Sequence, residues 1–333
     1  MKVLVSLIAV LLLTLIAYAG VVGANLRFIF GVIIPYAAFL IFVGGMIVRV
    51  MKWAGSPVPF RIPTTCGQQK SLPWIKQSKL ENPSGMLGVI GRMALEVLFF
   101  RSLFRNVKTQ LQDDKQLTYG EAKWLWAAGL AFHWSFLIIL LRHLRFFFEQ
   151  VPFAIQLIDS LDSFLQIGAP LLYMTDVVLL GAVTYLFIRR IGLPQVRYIS
   201  LIGDYFPLFL ILGIGISGVL MRYFIKTDIV SVKVLAMGLI SFHLPASVVL
   251  DAIGVIFFIH LFLLSVLFAY FPASKLVHMA GVFLSPTRNL ANNSREKRHI
   301  NPWNYPVHVH TYEEYEDDFR EKMKGAGLPV EKE

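Results

Sequence analysis

One cysteine, Cys66, is all that the 333 residues contain. A single thiol excludes an intramolecular disulfide, a cysteine-ligated iron–sulfur cluster and a cysteine zinc site. The lack of a CxxCH motif also excludes covalent c-type haem attachment. Charge is scarce: Asp, Glu, Lys and Arg make up 16% of the chain against 56% hydrophobic residues, far from the balance of a soluble domain. Acids are the scarcer sign, 21 against 31 bases, for a net charge of +10. That excess does not describe a nucleic-acid surface, because the bases fall between apolar runs, where membrane topology places them. No internal repeat is visible, which argues against a transporter built from inverted halves with helices broken at midplane.

Apolar sequence in span-length pieces is abundant. About 20 apolar residues cross the ~30 Å hydrocarbon core as a helix, and six windows qualify, at 3–24, 28–50, 124–144, 166–188, 205–225 and 247–271. The first, with Lys2 ahead of it and AYAG at 17–20, also fits a cleavable signal peptide. Its length suits a span, and the chain is read with it retained. Lysine and arginine crowd the segment 51–123, the loop 189–202 and the tail after 272, whereas the opposite loops carry Arg27, Arg142, Arg145, Arg222, Lys226 and Lys233. The positive-inside rule then puts both termini in the cytoplasm of a multi-pass protein of the cytoplasmic (inner) membrane, and an even number of spans agrees. Lesser elements are a proline-rich loop over 53–84, an amphipathic helix over 86–110 lying on the bilayer, and short outer interfacial helices at 149–163 and 228–243.

Two spans carry histidine in pairs: AFHWSFLIILLRHLRFF at 131–147 holds His133 and His143, and FFIHLFLLSVLFAYFPASKLVHMAG at 257–281 holds His260 and His278. Ionisable groups inside a membrane are costly and point to function, and neutral imidazole offers a ring nitrogen to haem iron. A hydrogen bond to a neighbouring helix explains any one of them; four at matching depths favour ligands. Pairing by depth joins His143 with His260 near the outer surface and His133 with His278 near the cytoplasm, each pair holding one haem b. The separations along the helices, about 15 Å and about 27 Å, do not match, and tilt plus a bend at Pro272 is expected to absorb the difference. On one continuous helix, eighteen residues return His278 to the face of His260.

The remaining polar residues are read more plainly. His243 in the FHLP turn is structural. His299, His308 and His310 lie in the polar tail, where HVH is a weak metal motif and more often solvated or in an interface. Arg142, Arg145, Arg222 and Lys275 snorkel to the membrane edge or meet haem propionates, and Asp176 is expected well inside the fourth span.

The 10- and 18-residue histidine spacings, with FPASKLVH at 271–278, resemble the cytochrome b (gamma) subunits of respiratory nitrate reductases over about five spans, 28–281. The tail, SPTRNLANNSREKRHINPWNYPVHVHTYEEYEDDFREKM at 285–323, and the extra first span are more similar to the DsrM family, the membrane cytochromes b of the DsrMKJOP complexes of sulfur-metabolising prokaryotes. The resemblance implies an all-α, six-helix transmembrane bundle in three parts. These are an extra N-terminal helix at 1–24, a haem b bundle at 28–281 with a cytoplasmic loop at 51–123, and a partner-docking cytoplasmic tail at 285–333. It implies a subunit that exchanges electrons with menaquinone, oxidising menaquinol, through two haem b groups. The implied partners are a DsrK-like cytoplasmic iron–sulfur subunit similar to heterodisulfide reductase, a second membrane quinone subunit, an exported multihaem cytochrome c and an exported iron–sulfur protein. The implied final acceptor is the trisulfide form of the small protein DsrC; the direction of electron flow is left open.

The resemblance also implies a quinol site beside the outer haem. There the chain offers Arg142, Arg145, Asp159, Asp162 and Asp251, with Asp176 deeper, and a carboxylate tuned by burial would accept a proton. Arg142 stands immediately before His143 where the nitrate reductase subunits carry glycine. The competing readings are an ion transporter, a non-redox scaffold, and the cytochrome b of another nitrate-reductase-like or Hdr-like quinol oxidoreductase.

Overall fold

In lipid no water meets the backbone polar groups, so apolar runs must fold as helices. The computed structural model describes residues 1–56, 67–113, 115–165, 170–285, 288–297, 306 and 308–332. Within these, five helices are long and apolar enough to cross a membrane: Lys2–Gly23, Ile29–Ala54, Lys123–Phe147, Ile202–Phe224 and Val255–Ala273. In chain order, α1 (Lys2–Tyr18) and α2 (Ile34–Ala54) are linked through π-helical turns at Ala19–Gly23 and Ile29–Ile33. Next come α3 (Met86–Phe99), the short α4 (Arg101–Phe104) and an antiparallel hairpin of β1 (Val107–Leu111) and β2 (Leu117–Glu121). The bundle continues with α5 (Lys123–His143), α6 (Phe153–Asp162), α7 (Met174–Gly192), α8 (Pro194–Ile199), α9 (Ile202–Val219) and α10 (Ile229–Ser241). It closes with α11 (Ser247–Ala252), α12 (Val255–Tyr270) and α13 (His278–Gly281), and α14 (Tyr312–Gly325) lies in the tail.

The bundle is laced in a chain of contacts: α5 on α7, α7 on α9, α9 on α1 and α12, and α12 on α2. Lipid tails are as apolar as leucine, so close packing rather than hydrophobic drive holds such helices together. One buried layer joins Val10, Leu179, Val183, Leu210, Leu263 and Leu267 from four helices. Small residues allow the tightest crossings: a Cβ on Gly45 of α2 would stand 2.7 Å from Pro272, closer than packed atoms tolerate.

Several expected boundaries move. The fourth window does not start at 166: α7 begins at Met174, behind an extended Tyr173, and 166–169 lie outside the described residues. Asp176 therefore sits in the first turn of α7, not deep in a span, where an acid meets the positive end of the helix dipole; Arg189 and Arg190 complement the other end. The sixth window is two helices, broken at Ile253 and Gly254. Arg27 makes the break tolerable by donating to the released carbonyls of Leu250 and Ile253, at 3.1 and 2.8 Å, and stands 3.6 Å from Asp251.

The amphipathic helix expected over 86–110 stops at Phe99, because Phe100 turns left-handed at φ 50° and residues 107–111 pair as a strand. A helix end leaves carbonyls without partners; here Trp126 and Trp134 of α5 donate their indole N–H groups to Phe99 and Leu98, at 2.7 and 3.0 Å. The segments expected at the outer interface fold as α6 and α10, the latter capped by Asp228, which accepts from Val230 N–H at 3.0 Å.

The tail has two parts. Residues 288–297 pack on the 67–83 loop and on α3: Asn292 N–H donates to Pro83 at 2.7 Å, Lys70 pairs with Glu296 at 2.6 Å, and Arg92 of α3 donates to the Arg288 carbonyl. Further on, α14 opens with a capping box between Thr311 and Glu314. Buried Glu316 accepts the N–H groups of Glu331 and Lys332, both at 2.8 Å, which hold its carboxyl below the usual glutamate range. Cys66, His299 and the NPWNY stretch lie outside the described residues.

Candidate functional site

The four histidines come from three elements, α5, α12 and α13. His133 and His143 both lie on α5, and α12 supplies His260. After Tyr270 the chain leaves the α-helix: Phe271–Ala273 and Lys275–Val277 are separate tight turns with an extended Ser274 between them, and His278 follows. The break falls at Pro272, which lacks the N–H that a helix needs. It removes the continuous helix on which the 18-residue face rule depended. It also shortens the axial run that mismatched the ten-residue spacing on α5.

The resulting juxtapositions are His133 with His278, ring centres 6.1 Å apart, and His143 with His260, 6.5 Å apart and nearly parallel at 12°. An imidazole nitrogen sits roughly 2 Å from a bound transition metal and the ring centre about 1 Å beyond, so two axial imidazoles on one iron have ring centres about 6 Å apart.

Every Nδ1 is already engaged. His133 bonds the Gly129 carbonyl at 2.7 Å, His143 that of Ile139 at 2.7 Å, and His278 that of Lys275 at 2.9 Å, while His260 meets the Ser217 hydroxyl at 2.9 Å. The three carbonyls can only accept, so Nδ1 of His133, His143 and His278 carries the proton and Nε2 is left as the lone pair. His133 with His278, and His143 with His260, are the residues that would hold haem iron, which would supply one-electron exchange. Around the first pair, Phe100 and Phe132 set ring edges against His133, each at 4.9 Å between centres. The left-handed turn at Phe100 is what brings its ring there.

Beside His143 lies a charged cluster that the sequence shows only as separate residues. Arg142, 5% exposed, approaches Asp162 with Nε 2.9 Å from Oδ2, an ion pair without hydrogen-bond alignment. Its Nη2 donates to Asp176 Oδ1 at 2.7 Å and Thr175 Oγ1 at 3.2 Å. Thr175 gives its N–H and its hydroxyl to the two oxygens of Asp162, at 2.9 and 2.6 Å. Tyr173 is stacked between two guanidinium groups, Arg142 at 3.6 Å and Arg222 at 3.9 Å from its ring centre. Its hydroxyl donates to Asp159 at 2.7 Å and accepts from Arg145 at 3.1 Å, and Tyr223 donates to Asp176 Oδ2 at 3.1 Å. Arg142, Arg145, Asp162 and Asp176 are thus one network joining α5, α6, α7 and, through Tyr223, the π-helical turn Leu220–Phe224 that follows α9. Asp251, paired with Arg27, is exposed and not among these partners.

Tyr173, Thr175, Ser217, Tyr223 and Phe100 escaped the sequence reading, since single hydroxyls and rings in apolar runs carry no spacing signal. At the opposite end Lys275 bonds Asp204 at 2.8 Å. In the tail, His308, His310 and Glu314 bring ligand atoms within 4.8 Å of one another, all exposed.

A model of the nitrate reductase gamma subunit family matches residues 86–293, from the start of α3 into the proximal tail. The chain is 46% identical over 279 residues to the Hdr-like menaquinol oxidoreductase cytochrome b-like subunit of Archaeoglobus fulgidus, covering 83% of each. It is 41% identical over 274 residues to the subunit of the same name from Archaeoglobus profundus, covering 81% of each. With more than half of its length matched by the family and relatives this similar along most of both chains, the chain belongs to the nitrate reductase gamma subunit family.

Proposed function

We propose that this chain is the di-haem cytochrome b subunit of a menaquinol oxidoreductase, passing electrons from quinol to a cytoplasmic iron–sulfur partner. The support is the pairing of four imidazoles at 6.1 and 6.5 Å, in a chain whose relatives are named cytochrome b-like subunits of Hdr-like menaquinol oxidoreductases. Bound between two imidazoles, haem iron supplies one-electron exchange. The residues do the rest: main-chain carbonyls orient three of the ligands and the Ser217 hydroxyl meets the fourth, and the Arg142 network holds three acids at the end expected outside. With both termini cytoplasmic, His143 and His260 are the outer pair and His133 and His278 the inner pair.

More narrowly, the tail and the additional first helix support a DsrM-type subunit of dissimilatory sulfur metabolism. Its cytoplasmic partner is DsrK-like, and a second membrane quinone subunit, an exported multihaem cytochrome c and an exported iron–sulfur protein complete the complex. The test is a reduced-minus-oxidised absorption spectrum of the purified protein. Two b-type haems that a menaquinol analogue reduces are expected; a chain that purifies folded without haem is a transporter or scaffold instead.

The tail yields its own expectation. Because 288–297 is built into the loop layer, docking falls to the distal part, where α14 exposes Tyr312 and Tyr315 beside a run of acids. Aromatic anchors amid charge suit a protein interface. Deleting 300–333 should leave both haem spectra intact and release the iron–sulfur subunit on purification. Co-purification after the deletion would rule the distal tail out as the dock.

A further inference from the structure

Three of the four imidazoles place Nδ1 against a main-chain carbonyl of their own segment. His260 differs: its Nδ1 reaches across to another helix, to the buried Ser217 hydroxyl of α9 at 2.9 Å. That hydroxyl faces the carbonyls of Gly213 and Ile214 at 2.8 and 2.9 Å. A hydroxyl has one proton to give, and here the carbonyls take it. With the proton on a carbonyl, the contact to His260 runs from the ring N–H to the serine lone pair and leaves Nε2 bare, the tautomer that an iron ligand requires.

The geometry points to Ser217 as the positioning residue of His260, setting the ligand's tautomer and its donor strength and so the redox potential at the outer pair; this rests on the two-haem reading above. A hydrogen bond accepted from the distal ring nitrogen makes an imidazole a stronger donor and favours the oxidised metal, one of the levers by which a protein sets a haem potential. A hydroxyl accepts more weakly than a peptide carbonyl. The outer pair therefore has one carbonyl-backed and one hydroxyl-backed ligand, where both inner ligands rest on carbonyls.

The experiment is a redox titration of the purified full-length protein, with the outer wave identified as the one that His143→Ala removes. Ser217→Ala should raise the midpoint of the outer wave and leave the inner wave in place, and Ser217→Thr should restore it. No shift, an equal shift of both waves, or a threonine variant that behaves like alanine would overturn the assignment. So would a fall, which would mean that the ring has turned to the Ile214 carbonyl, a stronger acceptor that also faces it. If Ser217→Ala binds neither haem, Ser217→Cys keeps a weaker acceptor at the same place: a raised outer wave supports the role and an unmoved one removes it. A wild-type protein without two waves would instead remove the two-haem reading, and the assignment with it.

Discussion

His133→Ala and His278→Ala are each expected to abolish the same haem signal, and His143→Ala and His260→Ala the other. The magnitude is all or none for the affected haem, because a low-spin iron with two axial imidazoles cannot keep its spectrum with one. The basis is the ring-centre separation of each pair, 6.1 and 6.5 Å, together with Nδ1 bonds that already spend one nitrogen of every ring. Difference spectra of the four single variants decide it, with the double variant His133→Ala/His278→Ala as a control expected to lose no more than either single one. If His133→Ala and His278→Ala lost different haems, the pairing would be wrong even though the four residues remained ligands.

How the sequence foreshadowed this site, and where it did not, follows from what each kind of signal encodes. Helix existence was legible because a bilayer leaves the backbone no other way to satisfy itself; the apolar windows at 124–144 and 205–225 reappear within a few residues as α5 and the span from Ile202 to Phe224. Helix ends were not legible, since they depend on partners distant in sequence. Arg27 accepts the cost of the break at Gly254 from more than 200 positions away, and two tryptophans of α5 terminate α3.

The histidine pairing was accessible from relative depth alone, yet the face rule used alongside it failed, because a periodicity of 3.6 does not survive Pro272. Asp176 was misplaced for the same kind of reason: hydropathy cannot tell where in an apolar window the first helical turn lies. Arg142, Arg145, Asp162 and Asp176 stood out as charges near a membrane edge. What joins them, the ring of Tyr173 between two guanidinium groups and the Thr175 hydroxyl under Asp162, is visible only once four elements are in place.

That network is where the second large effect is expected. Arg142 holds two carboxylates, so Arg142→Met leaves both acids without their cation; breaking a buried pair costs on the order of 3–5 kcal/mol, and a marked fall in thermal stability should follow. Its two partners are not equivalent. Asp162 has a side chain 3% exposed, and both of its oxygens accept from Thr175, while Asp176 is 16% exposed and bonded by Arg142 and Tyr223. Menaquinol must shed two protons as it gives up its electrons, so a site beside the outer pair needs an acid with a route to water. By accessibility, Asp176 suits that task and Asp162 suits holding the cluster together.

Losing a positioned proton acceptor commonly slows a reaction by 10²–10⁴-fold, as an order of magnitude. Asp176→Asn is therefore expected to keep both haem spectra and to reduce the rate of haem reduction by a menaquinol analogue about a hundredfold. Asp162→Asn should slow it as well, through a loosened clamp, with a drop in melting temperature that Asp176→Asn does not share. Unchanged reduction rates in both variants, or an inhibitor found against the His133–His278 pair, would move the quinol site away from Arg142. A slow Asp176→Asn with intact haems would place the proton's exit within reach of one guanidinium, where the departing positive charge has a carboxylate to meet it before it reaches water.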